Sequence, residues 1–331
     1  MWKPTRAIAA PAVLAVSAAL LAGCGATGGS WAADDLPHTT LTATAVDDTR
    51  LHVMSFNVRT DVLIDAHNGW MFRRGMVGDT VRRSLPDVLG TQELTPSQAE
   101  DLAAALPEYG FIGAGRHDGR ARGEMCGLWY RRDRLSAGRR GHFWLSNDPA
   151  DPGSKSWGAS YPRMVTWAQL RDAKAGRDVF VFNTHFSHKS KRARKEAAEL
   201  LRIAIQRIAG DAPVVVMGDF NDGEGSTAYT TLARGVGEDT RGPLYDTYRA
   251  VHPTRLRGEG TRHGFQGGRG GERIDWILAC DAFRPLAAEI DYTNANGRYP
   301  SDHFPVHAVL RWNDAAGALA RRGGGAGGSG L

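Results

Sequence analysis

From residue 51 to 58 the chain alternates apolar and polar side chains, a period of two that predicts a strand. Apolar Trp70, Met71, Val77 and Val81 then recur among arginines, which predicts a helix over 70–84 that stops before Pro86. A further strand is predicted over 87–93, and strand, helix and strand in succession imply a layered α/β fold. After a helix over 97–106, short apolar runs predict strands at 110–113, 125–130 and 165–170. The connection 146–163 is long, rich in Gly, Pro and Arg, and contains Trp157 and Tyr161; connections of that length usually border a site. The second half repeats the plan, with a strand at 179–183, a helix at 192–208 and strands at 214–217, 273–278 and 304–312. No solenoid-type repeat is present. Polar clusters sit at corresponding strand ends in both halves, which predicts two packed sheets with a site where they meet.

The helix over 192–208 buries Ala193, Ala197, Leu200, Leu201, Ala204, Ile205 and Ile208 at helical spacing. Lys189, Lys191, Arg192, Arg194 and Lys195 crowd its start, where cations oppose the macrodipole. Two readings follow: a spot that draws an anion, or a solvated basic turn relieved by Glu196 and Glu199.

The ends of the chain lack such patterning. Lys3 and Arg6 precede an apolar run over 7–22, about the length of a secretory leader and short for a membrane span. It closes on Leu21-Ala22-Gly23-Cys24, which resembles a bacterial lipobox. Residues 1–23 are therefore expected to be a cleaved leader, Cys24 a lipidation site and 24–48 a flexible tether. The domain is expected over 49–312, followed by a disordered Gly-rich tail over 313–331. The expected location is the extracellular face of a bacterial membrane, or secretion.

At 331 residues, 42% hydrophobic and 23% charged, disordered and fibrous classes are excluded. Loss of the leader lowers the formal net charge of +5 by two, so the mature chain is only mildly basic and does not require nucleic acid. Cys126 and Cys280 lie in apolar contexts, where a disulfide or two buried thiols are both admissible. Neither spacing nor flanking histidines suggests zinc.

The strand-end clusters carry the chemistry. Ser301-Asp302-His303-Phe304-Pro305 sets a carboxylate beside an imidazole at the start of the last apolar run. With it come Glu93, Asp219, Asp275, Asn57, Asn221 and His185. Oxygen ligands without cysteine suit a hard divalent ion, Mg²⁺ or Mn²⁺, and leave the histidines for proton transfer and anion stabilisation. Such a set can polarise phosphorus, activate water and stabilise developing charge.

Ser55-Phe56-Asn57-Val58-Arg59, Thr91-Gln92-Glu93, Asn183-Thr184-His185, Gly218-Asp219-Phe220-Asn221, Arg273-Ile274-Asp275-Trp276-Ile277 and Ser301-Asp302-His303-Phe304-Pro305 together resemble, in order, the motifs of the endonuclease/exonuclease/phosphatase superfamily. Phe143-Trp144-Leu145-Ser146, Tyr161-Pro162-Arg163 and Gly297-Arg298-Tyr299-Pro300 resemble a bacterial, largely secreted branch of it. The resemblance implies a four-layer α-β-β-α sandwich of two packed mixed sheets and metal-dependent phosphoester cleavage by an in-line water. It implies Glu93 as principal metal ligand, with Asn57 beside it and Asp302 facing the metal. Asp219 would orient or deprotonate the water, and Asn221 would donate to the phosphate. His185 would bind phosphate or assist the leaving group. His303, oriented by Asp275, would stabilise the transition state or serve as the base. Arg163 would face the phosphate, and His188 and His263 would bind substrate.

Two departures qualify the likeness. Arg59 stands where abasic-site endonucleases carry an acid, which weakens a DNA-repair reading, and Ser187 replaces an acid expected in the branch. His52, His67, His117, His142, His252 and His307 lack motif context and read as surface or core residues. The expected activity is metal-dependent phosphoester hydrolysis by a monomer anchored to the membrane through Cys24. An extracellular nuclease is favoured, because the basic turn at 189–195 and a loop with Arg116, Arg120 and Arg122 suit a phosphate backbone. The alternatives are a phosphatase or phospholipase C-like enzyme and a non-catalytic surface-binding module.

Overall fold

The structure, a computed structural model, describes residues 49–235 and 242–313. The leader, Cys24, the tether up to residue 48 and the tail from residue 314 lie outside the described residues.

The first half comprises β1 (Arg50–Asn57), a 3₁₀ turn (Leu63–Asn68), α1 (Trp70–Ser84), β2 (Val88–Leu94), α2 (Pro96–Ala105), β3 (Tyr109–Ile112), β4 (Met125–Arg131) and β5 (Leu135–Trp144). Then come β6 (Met164–Asp172), β7 (Arg177–His185), α3 (Lys191–Ala209), β8 (Val214–Asp219), α4 (Thr227–Arg234), β9 (Tyr245–Asp246), α5 (Thr247–Val251), β10 (Asp275–Ala279), β11 (Phe283–Ile290) and β12 (Val306–Trp312). Two six-stranded sheets form, ordered β11-β12-β1-β2-β4-β3 and β5-β6-β7-β8-β10-β9. Each holds one parallel pair, β1 with β2 and β7 with β8, joined through a helix; the other pairings are antiparallel. This is the four-layer α-β-β-α sandwich of two packed mixed sheets that the resemblance implied.

The period of two in β1 divides the core. Leu51 and Val53 join Phe182, Val216 and Ala308 in the main core, whereas Met54 and Phe56 face Val77 and Val81 of α1, with Trp129. Fully burying each large apolar side chain contributes about 1.5–3 kcal/mol, and a slip of one residue would send each of them to the opposite core, where the packing is built for other side chains. At Gly90 a Cβ would lie 2.6 Å from Met217 Sδ and 2.9 Å from Asn183, so only glycine lets the sheets approach there. Gln92 Nε2 donates to Asn183 Oδ1 at 2.7 Å, and Asn183 Nδ2 donates to the carbonyls of Thr91 and Gly127 at 2.9 and 2.8 Å. These buried bonds fix the register of one sheet against the other. Thr95 and Gln98 form a reciprocal capping box at the start of α2.

Cys126 and Cys280 are buried thiols, not a disulfide. Two histidines without motif context meet beyond the site: His52 Nε2 lies 3.1 Å from His307 Nδ1. Burial, then the neighbouring His307, lowers His52 to about 3; burial lowers His307 to about 4 despite Asp291. The unfolded chain therefore binds more protons than the folded one from about pH 6.5 downwards, and stability falls as pH drops through that window. Glu289, raised to about 7 by burial and then Asp291, acts in the opposite sense, so the comparison is made against a variant. Urea denaturation between pH 7 and 4 is expected to show a shallower loss of stability in His307→Gln than in wild type, by up to about 1.4 kcal/mol per pH unit. Parallel slopes would contradict it.

Candidate active site

Both parallel pairs end on the same side of the sandwich, and ligands bind outside the carboxyl ends of such strands. Asn57 ends β1, Glu93 is the penultimate residue of β2, His185 ends β7 and Asp219 ends β8. Register sets His185 beside Asp219 across β7 and β8, and Asp275 opposite Asp219 across β8 and β10. Three neighbouring strands thus present His185, Asp219 and Asp275 at one level. Gly218 makes this possible, because a Cβ there would lie 2.1 Å from the Thr184 carbonyl oxygen. From the other sheet, an irregularity in β2 places Glu93 at φ 58°, and bulges of this kind re-aim a side chain.

The polar contacts converge on Asp219. Asn57 Nδ2 donates to Asp219 Oδ2 at 3.0 Å and to Glu93 Oε1 at 3.1 Å, while the Asn221 amide N–H donates to Asp219 Oδ1 at 2.9 Å. His185 Nε2 and His303 Nε2 stand 3.4 and 3.9 Å from Asp219 Oδ2. His303 Nδ1 pairs with Asp275 Oδ2 at 2.9 Å, so the imidazole is held by a residue 28 positions away rather than by Asp302 next to it. Asp219, His185, His303 and Asp275 are all buried.

Burial, then Asp275, pushes the Asp219 carboxyl up. Burial works against the charge on His303, but Asp275 and Asp219 outweigh it and raise the group, so the ring is held as a cation. Burial, then Arg163 and Arg116, keeps His185 well below the ordinary value and neutral. Burial raises Glu93, but His303, the Thr60 N–H at 3.1 Å, Asn57 and Arg59 leave it lowered overall, a carboxylate at neutral pH.

The residues fit a hard divalent cation. Ligand atoms of Glu93, His185 and Asp219 lie within 4.8 Å of one another, and oxygen donors with a neutral imidazole suit Mg²⁺ or Mn²⁺. This set differs from the one expected from sequence. Asn57 turns its amide hydrogens to both carboxylates while its Oδ1 accepts the Arg59 N–H at 3.0 Å, so it bridges the two acids with its oxygen already engaged. Asp302 lines the same cavity but stands outside that group, 3.9 Å from Arg262 Nε.

The cavity measures ≈ 630 Å³ and brings together Glu93, Arg163, His185, His188, Asp219, Asn221, Asp302 and His303. His263 stands apart from this lining: it stacks on Phe304 at 3.9 Å and accepts the Gly267 N–H at 3.1 Å, so it props the loop behind His303. The basic stretch at the start of α3 is partly structural, since Arg194 bonds Asp222 at 2.9 Å and Lys195 pairs with Glu199 at 2.8 Å.

Several contributors escaped the sequence reading. The connection after β5 contributes Tyr161, with its ring at the cavity, rather than Trp157. Glu124 is a second such group. Arg73 of α1 donates to the carbonyls of Val58, Arg59 and Pro300, clamping the loop after β1 to the loop before β12. Ser301 Oγ donates to the Asn57 carbonyl at 2.6 Å across the same junction. An arginine inside an amphipathic pattern gives no sign that it faces inward.

The sequence profile of the Endonuclease/Exonuclease/phosphatase family matches residues 54–303. The chain is similar to a solved endonuclease/exonuclease/phosphatase of Bacteroides vulgatus, at 33% identity over 80% of this chain and 100% of that one, TM-score 0.73. It is also similar to the mannosyl-6-phosphatase of Bacteroides thetaiotaomicron, at 30% identity over 79% and 100%, TM-score 0.70. An uncharacterized protein of Acanthamoeba polyphaga mimivirus is 25% identical over 239 residues, 60% of this chain; the match spans about a third (34%) of that relative.

Proposed function

The chain belongs to the Endonuclease/Exonuclease/phosphatase family, and from that premise we propose that it is a metal-dependent phosphoester hydrolase acting on small phosphoesters at the bacterial cell surface, tethered through Cys24. The observation that carries this reading is the convergence of Glu93, Asp219 and the His303–Asp275 pair on one cavity. Glu93 and Asp219, with His185, would hold the divalent cation. When bound, the cation draws charge off the non-bridging phosphate oxygens.

The chain's own residues account for the rest. Water attacks phosphorus, a P–O bond forms, and the bond to the leaving alcohol breaks. Asp219, fixed by the Asn221 N–H and the Asn57 amide, takes the proton of the attacking water. His303, held cationic by Asp275, donates through Nε2 to the charge that develops on phosphate. Neutral His185 stands across Asp219 with its Nε2 3.4 Å from Oδ2, where it would serve the cation and not the substrate, and the alcohol leaves with a proton drawn from solvent.

The small-molecule reading is preferred to a nuclease because part of the supposed phosphate track is engaged elsewhere: Arg194 with Asp222 and Lys195 with Glu199. The mannosyl-6-phosphatase likeness points the same way. A panel of sugar phosphates, lipid head-group esters and polynucleotides, each with EDTA, tests it. Turnover of a small phosphoester that changes little between about 50 and 200 mM salt is expected. Polynucleotide release falling 10³-fold or more over that range, about what six or more phosphate contacts give, would favour the nuclease instead. A wild type inert on the whole panel would favour the non-catalytic binding module.

A further inference from the structure

The pair formed by His303 and Asp275 joins two segments 28 positions apart, and the carboxylate is held on one side only. Asp275 Oδ2 meets His303 Nδ1 at 2.9 Å, whereas Asp275 Oδ1 is buried and has no hydrogen-bond partner among the described residues. The aim of the carboxylate therefore depends on the backbone that carries it. That backbone is the start of β10. On one flank Asp275 stands opposite Asp219 of β8; on the other, β9 pairs with β10 at Leu278 and Ala279, beyond the level of Asp275. The Phe220 N–H, just past β8, donates to the Ile274 carbonyl at 2.9 Å. Across a trans peptide the next N–H points the opposite way, so the Asp275 N–H faces the flank away from β8, where a buried donor needs a partner from elsewhere.

Thr261 supplies that partner. Its Oγ1 accepts the Asp275 N–H at 3.2 Å and the Ile274 N–H at 3.1 Å, which occupies both lone pairs of the hydroxyl. Its carbonyl accepts the Phe304 N–H at 2.7 Å, next to His303. One residue with 0% exposure thus bonds the backbone on each side of the pair. The residues after it extend the seam: Arg262 forms an antiparallel bridge with His303, and the Asp302 carbonyl accepts the N–H groups of His263 and Gly264 at 2.8 and 3.1 Å. A hydroxyl that merely satisfied two buried amides would stabilise the fold without touching turnover. Here one of the two amides belongs to the residue whose carboxylate orients the imidazole, so a shift of that backbone moves Oδ2 relative to Nδ1.

We propose that Thr261 is a positioning residue: by bonding the Asp275 and Phe304 amides it holds carboxylate and imidazole at the separation that aims His303 Nε2 at the phosphate. The inference rests on the phosphoester-hydrolase reading and adds to it a residue that acts through the pair and not on the substrate. A misplacement of about 1 Å in a catalytic group can cost about 10²-fold in rate, so loss of the hydroxyl registers in turnover.

The test uses the full-length protein at saturating metal, with p-nitrophenyl phosphate or the panel ester that the wild type turns over fastest. Thr261→Val keeps the shape and removes the acceptor; Thr261→Ser keeps the acceptor. Thr261→Val is expected to lower kcat by about 10-fold or more with KM within about threefold of wild type, and Thr261→Ser to stay within about threefold in both. Added to His303→Gln, Thr261→Val is expected to cost less than about twofold more, because the group it positions is already gone. Should Thr261→Val fail to fold, Thr261→Cys, a weak acceptor of similar size, takes its place in every comparison. Independently of turnover, the low-field proton resonance of His303 Nδ1–H, identified by its loss in His303→Gln, is expected in wild type and Thr261→Ser and displaced in Thr261→Val. A folded Thr261→Val with wild-type kcat overturns the inference, as does an equal loss in the His303→Gln background or a loss that serine does not restore. If the wild type leaves the whole panel intact, the hydrolase reading fails and the resonance alone decides whether Thr261 sets the pair: displacement supports it, and a signal absent from wild type or unmoved in Thr261→Val refutes it.

Discussion

His303→Gln lowers kcat by about 10³-fold or more, the loss typical of deleting a charged donor to a developing anion in a buried site. The expectation comes from the way three carboxylates shape one ring. Asp275 accepts from Nδ1 at 2.9 Å, Asp219 faces Nε2 at 3.9 Å, and the Asp302 charge adds to the same field. Together they overcome the burial that would otherwise strip the proton from the imidazole. A glutamine keeps a donor of similar reach but no positive charge, so KM should change far less than kcat. Asp275→Asn makes a useful companion. Its amide can still meet Nδ1 but no longer stabilises the cation, so turnover falls while affinity for the metal is retained. A His303→Gln protein within tenfold of wild-type kcat would contradict this role.

Glu93→Gln is expected to lower activity by about 10²-fold or more at fixed Mg²⁺ and to raise the metal concentration needed for half-maximal rate. Both carboxylate oxygens of Glu93 already accept hydrogen bonds, Oε1 from Asn57 at 3.1 Å and Oε2 from the Thr60 N–H at 3.1 Å. The amide group of a glutamine must turn its NH₂ toward one of those donors, so the change removes a charge and also breaks a bond. That distinguishes Glu93 from Asp302, which lines the cavity without joining the cluster. Asp302→Asn should therefore shift the metal requirement less. Metal titrations of the two variants, followed by initial rate, make the comparison; equal shifts would return Asp302 to the ligand set.

The strands that bear the site were legible because they are buried and largely apolar: β7 and β8 read as hydrophobic runs ending in a polar residue, and β10 as one that begins with Asp275. Two of the edge strands, β5 and β11, were not. β5 carries Gly138, Arg139, Arg140 and Gly141, and its pairing with β6 shifts register in the middle. β11 carries Pro285 at an irregularity in its pairing with β12. Both residue types argue against a strand, yet an edge has a free side on which they are tolerated. Among site residues, the motif positions stood out because polar groups interrupt apolar runs. Arg116 and Glu124 lie in a Gly- and Arg-rich loop with no period, so their burial follows only from the fold that folds the loop back over β4 and β6. The stacking of His263 on Phe304 is likewise a tertiary fact with no local signal.

The central claim is that this cluster is a metal-dependent phosphoester-hydrolysing centre. The most direct measurement is the initial rate of phosphate release from a small phosphomonoester by the full-length protein, stripped with EDTA and then titrated with Mg²⁺ or Mn²⁺. The account predicts a rate at least about 100-fold lower in the stripped protein, restored saturably by the metal in wild type and not in His303→Gln. A rate indifferent to EDTA, or restored equally in both proteins, would contradict it.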